Sequence, residues 1–125
     1  MIKFRVWNKK TKSFIDDCDI VLDLISSKIY AGDIGLMDSV IDVTEQIILM
    51  QSTGLKDLKG VEIFEGDVVW IIDKGEMDNG WGWFEEVKFR NGSFMADDDF
   101  LINSHHRCVV RGNIYEQQEL LGGQA

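Results

Sequence analysis

Three groups of side chains in this sequence have the types needed for metal binding or acid–base chemistry. They are the run His105–Cys108 and two aspartate clusters, one at 97–99 and one at 16, 17 and 19. Adjacent residues of a strand point to opposite faces, so the ligands of the first group cannot easily share one tetrahedral metal ion. Neither aspartate cluster has the alternating ligands and fixed glycine of an EF-hand loop. We therefore expect no metal site and no other cofactor.

Catalytic motifs are also missing from the sequence. Glu62, Glu65 and Asp67 lie close together in the chain, but no partner acid, base or metal ligand can be identified for them. The chain contains no phosphate-binding glycine loop, no nucleophile elbow and no zinc-protease pattern. The sequence therefore predicts that the protein is not an enzyme.

Aromatic side chains give the best indication of a binding site. Trp81, Trp83 and Phe84 lie close in sequence, and Trp81 stands between two glycines, where a core position is hard to achieve. Tryptophan is enriched among the anchor residues of protein interfaces. We predict that these three residues form an interaction surface; the alternative is that they pack in the core or in a subunit contact.

Charge restricts the choice of partner. The chain carries 22 acidic and 13 basic residues, a net charge of −9, and such an acidic body repels phosphate backbones. Nucleic acid is therefore an unlikely partner. However, residues 1–12 hold five of the thirteen positive charges and no acidic residue, so contact with phosphate through a basic N-terminal hairpin stays open. The acidic residues themselves indicate a solvated face, or alternatively a surface that docks on a basic protein.

The length of 125 residues suits one compact domain with a core of its own. No apolar run approaches the roughly 18 residues that cross a bilayer, and the chain does not begin with the apolar stretch of a secretion signal. We expect a cytoplasmic protein with no membrane contact. Cys18 and Cys108 are far apart, in no metal-binding spacing, and are expected to be reduced.

The N-terminal part, residues 1–50, is predicted to be rich in β-strands. Apolar and polar residues alternate from Ile2 to Trp7, and a turn then leads to Ser13–Ile15, so a hairpin opens the chain. The apolar residues of 19–30 fit a helix or two short strands, and we favour strands. Residues 31–39 are predicted to form an irregular, mobile loop.

The C-terminal part, residues 51–125, reads as short strands joined by tight turns. Val68–Ile72 is apolar on both faces, as in a central strand, and Asn91-Gly92 is a strong hairpin signal. A closing strand is predicted at 108–111 and a short terminal helix at 116–121. The prediction for the chain is a mainly β fold with a minor α contribution: an N-terminal β-rich subdomain (1–50) and a small SH3-like β-barrel (51–125) within one domain.

Residues 51–69 contain turn residues, polar residues typical of a sheet edge, and the apolar residues of a strand. The order in which these occur is unusually specific. Glycine at 54, 60 and 66 can adopt positive φ, and aspartate at 57 and 67 can accept hydrogen bonds from nearby backbone N–H groups. We interpret this segment as mainly architectural and leave open that its exposed turn is also a contact surface. Its informative residues are Thr53, Gly54, Leu55, Lys56, Asp57, Gly60, Glu62, Ile63, Phe64, Glu65, Gly66, Asp67 and Val68.

This segment resembles the signature of the YopX family, whose members are small proteins mostly encoded by phages and prophages of Firmicutes. Phe4–Trp7 and Gly112–Glu116 also fit that family, so the resemblance spans nearly the whole chain. The resemblance implies a similar barrel and a place inside a bacterial host cell. It implies no activity.

Together these observations predict a phage or prophage accessory protein without catalytic activity. Its partner would be another protein, either a second copy in a homo-oligomer or a host or phage factor. The alternative is a nucleic-acid-associated regulator that contacts phosphate through the basic N-terminal hairpin.

Overall fold

The structure, a computed structural model, describes residues 2–15, 20–32, 40–73, 81–117 and 119–122. These residues are mostly in β-strands, which confirms the predicted mainly β class. Two short helices, α1 (Leu101–Ser104) and α2 (Glu119–Gly122), and a 3-10 turn at His105–Arg107 accompany them. The strands are β1 (Phe4–Asn8), β2 (Ser13–Ile15), β3 (Ile20–Leu22), β4 (Ile29–Ala31), β5 (Ile41–Asp42), β6 (Ile47–Lys56), β7 (Glu62–Phe64), β8 (Asp67–Ile72), β9 (Gly82–Arg90), β10 (Ser93–Ala96), β11 (Asp99–Phe100) and β12 (Cys108–Asn113).

The chain divides into two compact units. The large unit comprises Met1–Phe4 and Gln51–Ala125, and the small unit comprises Arg5–Met50. The division predicted from the sequence, one domain with subdomains 1–50 and 51–125, stays a prediction.

The small unit contains the predicted opening hairpin, in which β1 and β2 pair antiparallel with Trp7 opposite Phe14. The two rings meet edge to face, with centroids 5.0 Å apart, and Trp7 is buried. The ambiguous segment at 19–30 forms two strands, β3 and β4, which pair antiparallel. Strands were therefore the right choice. Most of the loop predicted at 31–39 lies outside the described residues.

The large unit is built on an antiparallel sheet with the strand order β11-β10-β9-β8-β12. The predicted hairpin at Asn91-Gly92 joins β9 to β10, and the φ angles of 55° and 81° at these residues are those of a type I′ turn. The strand predicted at 108–111 corresponds to β12. The terminal helix predicted at 116–121 corresponds to α2, which begins three residues later than predicted. The SH3-like arrangement stays a prediction.

The core of the large unit is formed by apolar residues that lie far apart in the sequence, from Ile63 to Cys108. Period-2 alternation places every second residue of β8, β9 and β12 on one face, where these side chains pack together. The buried members of this cluster are Ile63, Val69, Ile71, Val87, Ala96, Leu101 and Cys108, with Leu55, Trp83, Phe94 and Val110 packed against them at its margin. Val68 is fully buried as well.

None of the helices within the described ranges is long and apolar enough to cross a membrane.

Candidate interaction surface

Trp81 stands directly before β9 on a fixed stretch of backbone, and its residue surface is 67% exposed. Its carbonyl accepts a hydrogen bond from the N–H of Asp73, with N and O 2.7 Å apart. The next residue, Gly82, packs so closely on β8 that a Cβ there would lie 2.1 Å from the carbonyl oxygen of Ile71 and 2.9 Å from Nε1 of Trp70. The main chain that carries the exposed indole is therefore held at the carbonyl of Trp81 and at the following residue.

The other two residues of the predicted surface point in opposite directions, because neighbours in a strand alternate between faces. Trp83 lies opposite Ile71 and packs against the core. Phe84 lies opposite Trp70 on the other face, and the two rings meet edge to face with centroids 4.8 Å apart. The structure thus places Trp83 and Phe84 on opposite faces of β9, and Trp81 lies just before that strand. Of the three, Trp81 alone is largely exposed.

The indole N–H of Trp83 is buried and has no hydrogen-bond partner within the described part of the chain. A buried donor without a partner is uncommon in folded proteins. Trp83 therefore packs against the core and offers no polar group to a ligand at the surface.

An exposed apolar pair in the small unit was missed by the sequence analysis. Leu24 and Ile25 are 84% and 96% exposed at the turn between β3 and β4. The carboxylate of Asp23 accepts hydrogen bonds from the N–H groups of Ile25, at 2.9 Å, and Ser26, at 3.2 Å, and these bonds lower the pKa of Asp23. Asp23 and the two serines that follow the apolar pair are turn signals, but the apolar pair itself favours prediction of a strand or a helix.

The signature turn at 57–60 is organised by one buried carboxylate. Asp57 is 6% exposed, and its Oδ1 accepts hydrogen bonds from the N–H groups of Lys59 and Val61, both at 2.8 Å. Its Oδ2 accepts a third from the N–H of Val110 in β12. Gly60 completes the turn with a φ of +83°, which a residue with a Cβ rarely adopts.

The segment before that turn forms an irregular part of β6. The register between β6 and β7 shifts between Ser52 and Lys56, where Gly54 has a φ of +75°. The Oγ1 of Thr53 donates a hydrogen bond to the carbonyl oxygen of Ile63 at 2.7 Å. These signature residues therefore shape the backbone of a bulge.

Glu62 belongs to an exposed ionic cluster of the large unit. One carboxylate oxygen lies 2.8 Å from Nζ of Lys3, and the other accepts a hydrogen bond from Ser52. The bond from Lys3, followed by that from Ser52, holds the pKa of Glu62 below its ordinary value. The ammonium group of Lys3 also lies 5.9 Å from the ring centroid of Phe64. Glu62 is therefore an ion-pair partner within the fold.

The second signature turn, after β7, is closed by Asp67. Its buried carboxylate accepts a hydrogen bond from the N–H of Phe64 at 2.8 Å, and Gly66 has a φ of +89°. The N–H of Glu65 donates to the carbonyl of Gln51 at 2.9 Å. Both signature turns therefore use a carboxylate to satisfy backbone donors, as the sequence analysis expected of aspartate in these positions.

Side chains of the run His105–Cys108 make contacts within the large unit. Nδ1 of His105 donates to the carbonyl oxygen of Lys56 at 2.7 Å, and the guanidinium of Arg107 donates to that of Ile72 at 2.9 Å. Burial raises the pKa of the Cys108 thiol to about 11. Among the residues that the structure describes, no three histidine, cysteine or carboxylate side chains come together as metal ligands. The aspartates at 16, 17 and 19 lie outside those residues.

Only some of the positively charged side chains of the basic N-terminal hairpin are exposed to a possible partner. In the small unit, the guanidinium of Arg5 lies 5.0 Å from the ring centroid of Phe14. The turn at 9–12 is ordered by Asn8, whose Oδ1 accepts hydrogen bonds from two backbone N–H groups of the turn. Its three lysines, at 9, 10 and 12, are exposed.

Comparison with known proteins agrees with the resemblance seen in the sequence. The YopX protein family model matches residues 3–122. Protein EF1440 from Enterococcus faecalis, known from a crystal structure, is 27% identical, with a TM-score of 0.67 over 97% of this chain and 98% of that one. The crystal structure of protein yopX from Bacillus subtilis is 20% identical, with a TM-score of 0.60 over 94% and 95%, and shows the shared fold. No curated protein matches the sequence. The chain belongs to the YopX family.

Proposed function

We propose that the protein is a non-enzymatic phage or prophage accessory protein that acts by binding another protein, with Trp81 as the anchor of its interface. The observation that carries the proposal is the exposure of the residue Trp81, 67%, where its backbone bonds to Asp73 and precedes the closely packed Gly82. A tryptophan buries up to about 250 Å² of surface in an interface, so two-thirds of that area corresponds to about 4 kcal/mol of transfer free energy. A rigid base keeps the entropy cost of ordering the anchor low.

The chemistry of the signature supports a role without catalysis. Asp57 and Asp67 accept hydrogen bonds from backbone N–H groups, and Glu62 pairs with Lys3. Carboxylates used in this way are structural groups, whereas a general acid or base must reach a substrate. The partner is a second copy of the chain or a host or phage protein.

Single substitutions test the anchor. Trp81→Ala removes the exposed indole, while Phe89→Ala is a matched control, because Phe89 is an aromatic residue near the other end of β9 that is 54% exposed. Trp83 is left intact, because its removal would open a cavity beside the core. Tagged wild type and both variants would be captured from nuclease-treated cells that carry the parent phage or prophage, and size exclusion with light scattering would measure self-association.

The expected result is a protein, or a second copy of the chain, that accompanies the wild type and Phe89→Ala and is lost with Trp81→Ala. Retention of every partner and of the same molar mass by Trp81→Ala would contradict the proposal. Thermal melting of each variant distinguishes loss of contact from loss of fold.

A second candidate is contact with nucleic acid through the small unit. The observation that favours it is the ordered turn at 9–12 with its three exposed lysines. Three phosphate contacts predict that log K falls against log salt concentration with a slope of about −3. A variant with glutamine at 9, 10 and 12 should lose this binding, and no binding of wild type to duplex or single-stranded DNA at low salt would exclude the candidate.

A further inference from the structure

We propose that the large unit carries a second contact surface, the segment Asp97–Arg107, through which two copies of the chain associate about a two-fold axis at Ile102. This surface does not involve Trp81, so it goes beyond the proposed function. The segment contains β11, α1 and the 3-10 turn. Along the chain its exposed side chains change from acidic to apolar to cationic, and this order suits a second copy that runs in the opposite direction.

The centre of the segment is apolar and exposed. Ile102 is 61% exposed and Phe100 is 49% exposed. The helix α1 buries its other side, because Leu101 and Ser104, which lie three residues apart on one face, are its buried members. Leu101 belongs to the core of the unit and fixes the helix there. The two exposed apolar side chains therefore stand on a held backbone, which keeps the entropy cost of ordering them in a contact low.

The acidic end of the segment is the aspartate run at 97–99. All three residues are exposed, and the side chain of Asp98 is 97% exposed. The guanidinium of Arg90 lies 3.6 Å from that carboxylate and donates to the carbonyl of Asp97 at 3.3 Å, but an ion pair this exposed is weak. Burial, followed by the charge of Asp97, raises the pKa of Glu85, as expected where negative charge accumulates.

The cationic end is the 3-10 turn at 105–107. The rings of His105 and His106 have centroids 5.8 Å apart, and His106 is exposed. His105 and Arg107 donate to backbone carbonyls at 2.7 and 2.9 Å. These bonds hold the two side chains in place. Arg107 forms no ion pair with a carboxylate among the residues that the structure describes, so its charge is available to an acidic surface.

The order of charges makes the segment complementary to itself. The four residues of α1 and the three of the 3-10 turn rise by about 12 Å, which separates the acidic end from the cationic end. When two copies meet antiparallel at Ile102, the acidic end of each lies against the cationic end of the other. Asp98 of one copy then faces His106 of the other, because both are four residues from Ile102. A two-fold interface requires a self-complementary surface of this kind.

The signature turn enlarges the cationic end. The N–H of Leu58 donates to the carbonyl of Cys108, directly after the 3-10 turn, at 2.8 Å. Leu58 is 49% exposed, and Lys59 beside it is exposed as well. One short segment and one turn offer less than the roughly 800 Å² that each partner contributes to a standard interface, so we expect a weak dimer with a Kd of about 10–100 μM.

Sedimentation of the purified chain at rising concentration measures this association. Wild type should change from monomer to dimer between about 1 and 500 μM. Ile102→Glu places two carboxylates at the axis and should weaken dimerisation at least about tenfold. Ile25→Glu is the matched control, because it makes the same substitution at a residue that is 96% exposed in the small unit, and it should leave the Kd unchanged. Circular dichroism checks that each variant is folded.

Exchange of charges tests the antiparallel pairing. Asp98→Lys and His106→Glu should each weaken the dimer at least about fivefold, because each places like charges opposite one another. The double variant should recover the wild-type Kd within about threefold, because lysine then faces glutamate in both halves of the interface.

Three results would overturn the inference: a wild type that stays monomeric at the highest concentration, a dimer that Ile102→Glu leaves intact, or a double variant without recovery. Trp81→Ala should leave the Kd unchanged. A dimer that depends on Trp81 and not on Ile102 would support the proposed function and contradict this second surface.

Discussion

The carboxylate of Asp57 accepts a hydrogen bond from the backbone N–H of Val110, 2.8 Å away, across 53 positions of the chain. β12 is an edge strand of its sheet, and an edge strand leaves backbone donors and acceptors on its outer side in need of partners. Asp57 supplies such a partner while it also closes its own turn. The signature turn thus holds the last strand of the sheet, which gives the buried acid Asp57 a structural role.

Asp57→Asn should destabilise the protein by about 1–3 kcal/mol, because the amide NH₂ would face at least one backbone N–H that is left buried without an acceptor. Asp57→Ala, which removes all three acceptor contacts, should cost more. Urea denaturation followed by circular dichroism measures both. Asp99→Asn serves as the surface control and should change the free energy of unfolding by less than about 0.5 kcal/mol. An Asp57→Asn variant as stable as wild type would show that Asp57 does not fix β12.

The sequence allowed prediction of the local features of this region and not of its long-range contacts. Asp57 and Gly60 indicated a turn because their types satisfy nearby donors and permit positive φ. The bond from Asp57 to Val110 depends on which strand lies beside the turn, and residue types do not encode that neighbour. The hairpin at Asn91-Gly92 was predictable for the same local reason, since both turn residues favour positive φ.

The candidate surface was predicted only in part, because two effects act on it together: the glycines around Trp81, and the alternation of side chains along the strand that follows. The glycines around Trp81 indicated a position outside the core, and β9 begins at the second of them, Gly82. Once the strand begins there, alternation requires Trp83 and Phe84 to face opposite sides. Leu24 and Ile25 were missed because apolar residues are ordinarily read as buried, and only the hydrogen bonds of Asp23 reveal that they occupy an exposed turn.

Gly82→Ala should be far more destabilising than Gly112→Ala, although both glycines lie in strands of one sheet. A Cβ at 82 would lie 2.1 Å from a backbone carbonyl of β8, which cannot move without breaking the ladder. A Cβ at 112 would lie 2.3 Å from Oε1 and 2.7 Å from Cδ of Gln117, a flexible end that can swing aside, and 3.0 Å from the Cβ of Gln117, which requires only a small shift. Overpacking against backbone typically costs about 1–3 kcal/mol or more, so we expect at least that loss for Gly82→Ala. Equal melting temperatures of the two variants would contradict this view of Gly82.

Ser104→Ala should stabilise the protein. The hydroxyl of Ser104 is buried, with the residue 1% exposed, and it has no hydrogen-bond partner in the described part of the structure. A buried polar group without a partner costs about 1–3 kcal/mol, whereas alanine fits the same space with one atom fewer. We expect a gain of about 1 kcal/mol in thermal or urea unfolding. Ser93→Ala, at a half-exposed strand position, is the comparison, and destabilisation by Ser104→Ala alone would indicate that the hydroxyl is bonded, for example to a buried water molecule.

The ion pair between Lys3 and Glu62 should give a small pH-dependent stability. The pKa of Glu62 is lowered in the folded protein, first by the hydrogen bond from Lys3 and then by that from Ser52. Because the folded value lies below the ordinary value of 4.5, the stabilisation is fully present well above pH 4.5 and disappears as the pH falls through the lower folded value. The side chains of Lys3 and Glu62 are 62% and 32% exposed, so solvent screening limits the contribution to less than about 1 kcal/mol.

The difference in unfolding free energy between wild type and Glu62→Gln should therefore be constant near neutral pH and shrink towards zero in acid. Lys3→Met should reduce the same difference at neutral pH, and a double-mutant cycle at low salt isolates the interaction of the two side chains. Added salt should weaken that interaction energy, because exposed charges are screened. A difference that stayed unchanged from neutral to strongly acidic pH would mean that the carboxylate acts through its shape and its bond to Ser52, with no contribution from its charge.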